Sequence, residues 1–322
     1  MASYSGSDAG GQLVILCLTP NPALDLSYTL QHIDLDASHR VDTGHAQAGG
    51  KGLNVARVLH QQGYATRSVL TAGGISGAVL LEELESTGLP FSAIAVSGAT
   101  RRSMAFHALS QQQSTIFNET GHPLSLDEGE ALLESFSAEL TAAQAVAICG
   151  SWPPETTLEY FTQFVRRAVE SAWTVVDTSG ALLLEAARAG AVLKPNHHEL
   201  RQATGTSDVA QGVAKLLRLG APEVYLSAGE HGLFHFSASA AGIAHAFLPT
   251  ALPGNPTGAG DSAVAALTAS ALDGADREQT LRRAVSWSAS TVLMPTAGAT
   301  HPSHAELFEQ VNYALLESVP DF

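Results

Sequence analysis

Short β-branched runs alternate along this chain with longer segments whose apolar residues recur at i, i+3 and i+4, and that alternation restricts the fold most. Strands joined through helices run parallel, because a helical crossover returns the chain to the same end of the sheet. The pattern predicts strands over 13–19, 68–72, 146–150, 174–177, 192–194 and 224–227. Helices are expected over 53–62, 79–86, 126–140, 158–171, 209–219 and 262–272. The fold class is therefore α/β, with a mainly parallel central sheet flanked by helices. After Ser227, the runs LFHFSAS and AHAFLPT read as an antiparallel pair, and two last helices are expected to close the chain.

Two stretches break the alternation. Residues 26–47 and 91–119 carry polar-apolar alternation with no intervening helix. They are expected to assemble a small, discontinuous β-sheet, while 12–25, 48–90 and 120–322 form the core. A sheet exposed on one face needs covering by a ligand, a lid movement or a second subunit. Residues 1–11 are small, polar and Gly-rich, without the basic and apolar regions of a signal peptide, and a disordered tail is expected there.

Composition narrows the function by exclusion. Apolar residues make up 45% of the 322, enough for a large core. The net charge of -15 leaves no basic stripe to neutralise a nucleic-acid backbone, so no nucleic-acid partner is expected. No apolar run reaches the roughly 18 residues a membrane span needs, and a cytoplasmic location is expected. Cys17 and Cys149 each sit in an apolar run and read as buried strand thiols.

Four motifs could carry chemistry. PTGAGDS, 256–262, runs directly into a helix, so Gly258, Ala259 and Gly260 place small residues at a helix N-terminus. Unpaired N–H groups and the positive dipole end make an anion site there. Asp261 beside it is expected to stay ionised and to accept a proton, which a phosphoryl acceptor requires. Read alone, the segment is also an ordinary Gly-rich turn capped by an aspartate. In AGGKGLNVARVL, 48–59, Gly49, Gly50 and Gly52 precede a helix and Lys51 adds a charge, with Asn54 and Arg57 one turn apart. Neither a Walker loop nor a dinucleotide fingerprint fits this spacing, and helix entry beside a solvated lysine is the plain alternative.

TPNPALD, 19–25, stiffens the exit of the first strand and holds Asp25 at the sheet's carboxyl end, where a carboxylate can accept two sugar hydroxyls; a plain turn is the alternative. KPNHHEL, 194–200, offers Lys194 for phosphates and Asn196 with Glu199 for Mg²⁺ held through water. His197 and His198 are adjacent, cannot both ligate from one helical face, and have no third ligand at zinc spacing. Arg101, in TRRSMAF, could grip a phosphate, and SAGEHG, 227–232, could form a nucleotide-side turn or simply a hairpin.

With these motifs in order from about residue 13 to 300, the chain resembles the PfkB or ribokinase-like family of carbohydrate kinases, most densely its sugar-phosphate branch. The resemblance implies a Rossmann-like core under a β-sheet lid, and a homodimer formed through the lids. It assigns the base to Asp261 and the anion hole to Gly258, Ala259 and Gly260. Asp25, Gly49, Gly50 and Asn54 would hold the sugar, and Lys51 and Arg101 its existing phosphate. Lys194, Asn196, Glu199, Ser227 and Gly229 would face ATP, with Asn196 and Glu199 influencing Mg²⁺ indirectly. Fructose 1-phosphate is the favoured acceptor, ahead of tagatose 6-phosphate and fructose 6-phosphate; a ribose or nucleoside kinase and a non-catalytic sugar-phosphate sensor are the competing readings. The chain departs from the pattern where GSLPPG becomes GSWPPE at 150–155, and where Ser103 stands two residues after the lid arginine in place of an asparagine.

Overall fold

The strands of the first runs bury both faces, so their side chains must be divided between two cores, and the computed structural model shows that division. It describes residues 14–319 apart from 112 and 241; the tail expected over 1–11 and the first residue of the 13–19 strand lie outside them. The chain begins with β1 (Val14–Thr19), β2 (Ala23–Leu30), β3 (His45–Gly49), α1 (Lys51–Gln61), β4 (Thr66–Ala72), α2 (Gly74–Thr87) and β5 (Phe91–Ala95). β6 (Arg101–Ala108), β7 (Gln113–Asn118), α3 (Leu126–Leu140), β8 (Ala143–Cys149), α4 (Leu158–Ser171), β9 (Trp173–Asp177) and α5 (Ala181–Arg188) follow. Then come β10 (Val192–Leu193), α6 (His197–Thr204), α7 (Val209–Leu219), β11 (Glu223–Ser227), β12 (Leu233–Ser237) and β13 (Ile243–Phe247). α8 (Ala259–Asp273), α9 (Arg277–Thr291), α10 (His304–Gln310) and β14 (Asn312–Leu316) complete it.

Ten strands form one sheet in the order β14-β13-β12-β11-β10-β9-β8-β1-β4-β5. From β5 to β11 all neighbours are parallel, and β12, β13 and β14 extend the edge antiparallel. Along β1, Ile15 and Cys17 face one core, with α1, α2, α8 and α9; Leu16 and Leu18 face the other, with α3, α4, α5 and α7. This is the period-two alternation of a strand covered on both sides. β8 repeats it with small residues, Ala145 and Ala147, toward α8, whose Ala263–Ser270 stretch is buried on every face. Small side chains let that helix lie close over the middle of the sheet.

A second sheet of four strands has the order β3-β2-β6-β7. Its limits differ from the expected ones. Ala23–Asp25 and His45–Gly49 belong to it, because β2 and β3 pair along their length. Phe91–Ala95 does not belong to it. That strand pairs parallel with β4, Ser68 opposite Phe91, and forms the edge of the large sheet. The cause is α2, which serves as the crossover of an ordinary β-α-β unit and returns the chain beside β4. The closing element also differs: β14 adds to β13 after α10, because its backbone satisfies the free edge that β13 would otherwise present. α5 and α6 carry no expectation from periodicity, being only eight residues each. Among the described residues no helix is long and apolar enough to cross a membrane.

Candidate active site

From β1 the chain moves through β4 to β5 on one side, while β8 to β11 step away on the other, so the order reverses between β1 and β8. Loops leaving the carboxyl ends diverge there and open a crevice, the place where such sheets bind ligands. A cavity of about 1550 Å³ occupies it, floored by Thr19, Gly150, Asp177, Lys194 and Ser227 at successive strand ends and walled by β2, β6 and β7 of the small sheet. Of the residues to which the resemblance gives a role, all but Gly49 line this cavity. Gly49 stands behind Asp25, where a Cβ would come within 2.0 Å of the carboxylate oxygen.

Asp261 lies in the first turn of α8, 6% exposed, and accepts a 2.7 Å hydrogen bond at Oδ2 from Asn54 Nδ2. The expectation that it stays fully ionised needs correcting. Burial raises its pKa to about 7, against the pull of Lys51, Asn54 and Lys194, with Asp177 adding to the rise. The helix terminus alone does not offset desolvation of a carboxylate inside the fold.

The α8 N-terminus has a backbone shape that explains GAG. Gly258 has φ 85°, and a Cβ there would lie 2.7 Å from the Ala297 Cβ, so a side chain would be strained as well as crowded. Ala259 N–H donates to Pro256 O at 3.1 Å, which withdraws one of the three amides expected in the anion hole. The first-turn amides of Gly260 and Asp261 have no backbone acceptor among the described residues. Lys194 Nζ stands over this turn, 3.6 Å from where a Cβ of Gly260 would lie.

Sequence reading missed Asp177, which organises the cations. Its carboxylate is buried at the end of β9 and meets Lys51 Nζ through Oδ1 at 2.8 Å and Lys194 Nζ through Oδ2 at 3.2 Å. Lys51 also donates to Glu199 Oε1 at 3.1 Å. Burial works against the charge of Lys51, but Asp177, Glu199 and Asp261 outweigh it and raise its pKa. Asp177, although desolvated, is held below the usual carboxylate range by Lys194 and Lys51. Lys51, expected at a substrate phosphate, thus shares a cluster with Lys194 and Glu199, both expected at the nucleotide. The visible signal was the closing acid of WTVVD: a carboxylate ending an apolar strand at the crevice needs a buried partner.

Asn196 and Glu199 form a reciprocal capping box on α6: Asn196 Oδ1 accepts from the Glu199 N–H, and Glu199 Oε2 accepts from the Asn196 N–H, both at 2.9 Å. Glu199 Oε1 holds Lys51. Among the described residues no group of three or more His, Cys, Asp or Glu could hold a metal ion. With Oε1 on Lys51 and Oε2 on the Asn196 N–H, both oxygens of Glu199 are already engaged. Ser227 bridges to Asn196 across the same strand ends, and Gly229 turns away at φ 59° with open space around it.

At the other end, Asp25 and Ser103 are register partners between β2 and β6, and Ser103 pairs with Asn118 on β7, so all three present to the cavity. Burial raises the Asp25 pKa to about 6, with Arg101, Arg57 and Ser103 pulling it back. Arg101 donates Nε to Asn21 O at 3.1 Å and Nη1 to Glu119 O at 3.3 Å, and burial lowers its pKa. Asn21 in turn donates to Thr120 O and Ser151 Oγ, joining the small sheet to the loop after β8. Trp152, the departure from the usual leucine, is buried against Tyr160, Phe161 and Phe164.

A parallel sheet with an acid at a helix N-terminus, cations beside it and a second sheet over the crevice defines the α/β sugar-kinase class. Residues 19–304 match the pfkB family carbohydrate kinase profile, and the chain belongs to that family. Phosphofructokinase-2 from Escherichia coli, in its tetrameric inhibited form, superimposes with a TM-score of 0.83 at 25% identity, over 92% of this chain and 98% of that one. A possible 1-phosphofructokinase from Thermotoga maritima gives a TM-score of 0.83 at 18% identity, over 94% and 99%. Ribokinase from Arabidopsis thaliana, complexed with ribose and ATP, gives 0.72 at 22% identity, over 92% and 98%. The protein is a sugar kinase, a phosphotransferase acting on an alcohol group.

Proposed function

We propose that the chain phosphorylates a hexose phosphate from ATP, with fructose 1-phosphate as the favoured acceptor and fructose 1,6-bisphosphate as product. The observation that carries this reading is the pairing, in one cavity, of a buried carboxylate at the α8 N-terminus with a second cationic end at Arg101. An acceptor that already carries a phosphate would give this guanidinium a charged partner. Tagatose 6-phosphate and fructose 6-phosphate are the alternative acceptors, and the latter gains support from the 25% identity with Escherichia coli phosphofructokinase-2, solved in complex with it.

In this reading the acceptor lies under the small sheet, with Asp25, Gly50 and Asn54 at its hydroxyls, Gly49 giving Asp25 its room, and Arg101 at its phosphate. ATP lies along Lys194, Asn196, Ser227 and Gly229. Asp261 takes the acceptor's hydroxyl proton as that oxygen attacks the γ-phosphorus and the bond to the β-phosphate oxygen breaks. Free amides of the first α8 turn face the charge that develops on the transferred group. Lys51 and Lys194 leave Asp177 in part for phosphate oxygens. Mg²⁺ brought with the nucleotide would neutralise phosphate charge, and Asn196 and Glu199 would reach it through water.

Asp261→Asn, assayed by ADP release on a panel of sugars and sugar phosphates, is expected to lose about 10²–10⁴-fold in kcat while still binding ATP and sugar phosphate by calorimetry. Full turnover in that variant would refute the assignment, and preference for ribose over hexose phosphates would move the acceptor.

A further inference from the structure

Asn54 reaches the catalytic carboxylate and not only the space for a sugar. It sits in the first turn of α1, 6% exposed, and its Nδ2 donates to Asp261 Oδ2 at 2.7 Å across the α1–α8 contact. Its Oδ1 is buried with no hydrogen-bond partner. Gly298 closes that side: a Cβ there would lie 3.2 Å from Asn54 Oδ1 and 2.9 Å from Arg57 Cδ, so the amide is wedged against backbone. Turning the amide over would set its oxygen against a carboxylate oxygen, so the donor must face Asp261 while that group is ionised. From this we propose that Asn54 is a positioning residue for the base, engaging Oδ2 so that Oδ1 is the oxygen that receives the acceptor's proton. The inference rests on reading Asp261 as the base.

The other groups that act on Asp261 come from neighbouring elements: Lys51 from α1, Lys194 after β10 and Asp177 from the end of β9. Two are cations and one is an anion, while the nearby Cys149 thiol at the end of β8 is kept neutral by burial. Asn54 supplies a neutral side-chain hydrogen bond that steadies the ionised form without also pairing with a phosphate.

The test is the pH dependence of kcat at saturating ATP and sugar phosphate for the native enzyme, Asn54→Leu and Asn54→Asp, with Asp261→Asn alongside. In Asn54→Leu the acid limb should move up by about one pH unit, a loss of about tenfold at pH 6 that largely disappears on the alkaline plateau. Asn54→Asp, nearly isosteric, should move the limb further, because two carboxylates then share one proton. If both variants lose the same factor at every pH and the limb stays in place, Asn54 acts only in packing or sugar binding and the inference is overturned. Full turnover by Asp261→Asn would overturn the base assignment itself, and the two failures are thereby distinguishable. Asn54→Asp keeps the experiment decisive if Asn54→Leu does not fold.

Discussion

Asp261 combines two requirements that oppose each other. A general base works best with a pKa near the working pH, and a carboxylate is brought into that range by desolvation or by a neighbouring like charge. With its pKa raised to about 7 in the free protein, the acid limb of the kcat/KM profile should fall near pH 7, measurable by ADP release between pH 5 and 9. The same shift costs stability. The folded state prefers the neutral acid, so stability is full below the unfolded value near 3.8 and drains away as pH rises toward 7. Asp261→Asn should therefore turn over slowly yet be more stable than the native chain, by on the order of 2 kcal/mol at pH 8 and less at pH 4, in denaturant unfolding. Glu155 is a second residue at odds with its place: it holds φ 64°, in the left-handed region that favours glycine. Glu155→Gly should raise the unfolding free energy by about 0.5–1 kcal/mol, read from the same denaturant curves, because the left-handed conformation strains a residue with a Cβ.

At the scale of elements, the cation cluster is held by strand ends. β9 delivers Asp177, β10 places Lys194 beside it, and α1 turns Lys51 in from the other side. One buried carboxylate between two ammonium groups keeps both from repelling each other before any phosphate arrives. Asp177→Asn should lower the unfolding free energy by about 3 kcal/mol, since Lys194 is 2% exposed and loses its partner. Saturating ATP should restore part of that loss, because phosphate oxygens replace the carboxylate; thermal unfolding with and without ATP checks it. The Gly-rich turns and the acid after them were legible because each residue type answers a local backbone demand. Asp177 was not, because nothing within a few residues of it signals two lysines, one of which lies 126 positions away along the chain. Phe91–Ala95 was misplaced for a related reason: alternation marks a strand, but which sheet accepts it depends on the crossover before it.

For the whole molecule, the small sheet poses the remaining question. One face carries Asp25, Ser103 and Asn118 toward the cavity. The opposite face aligns Leu26, Met104 and Phe117 by register, with Tyr28 stacked on Phe106 and Phe106 against Phe117. Phe117, on the edge strand β7, is 57% exposed, which is costly for an aromatic on an apolar face. We propose that a second copy covers it, giving a homodimer through the lids. Phe117→Glu should weaken that association by about 100-fold and yield monomer in sedimentation velocity at micromolar concentration, whereas an unchanged distribution would place any interface elsewhere. The sequence by itself determined the parallel α/β frame, the helix that begins at GAG, and the chemical types gathered at the strand ends. Those are written in periodicities and turn residues, which act over a few positions. Only the tertiary structure decided which charges neutralise one another, which amide holds the base, and how far burial shifts its proton affinity. Desolvation and ion pairing depend on atoms brought together from distant parts of the chain, and no local pattern encodes them.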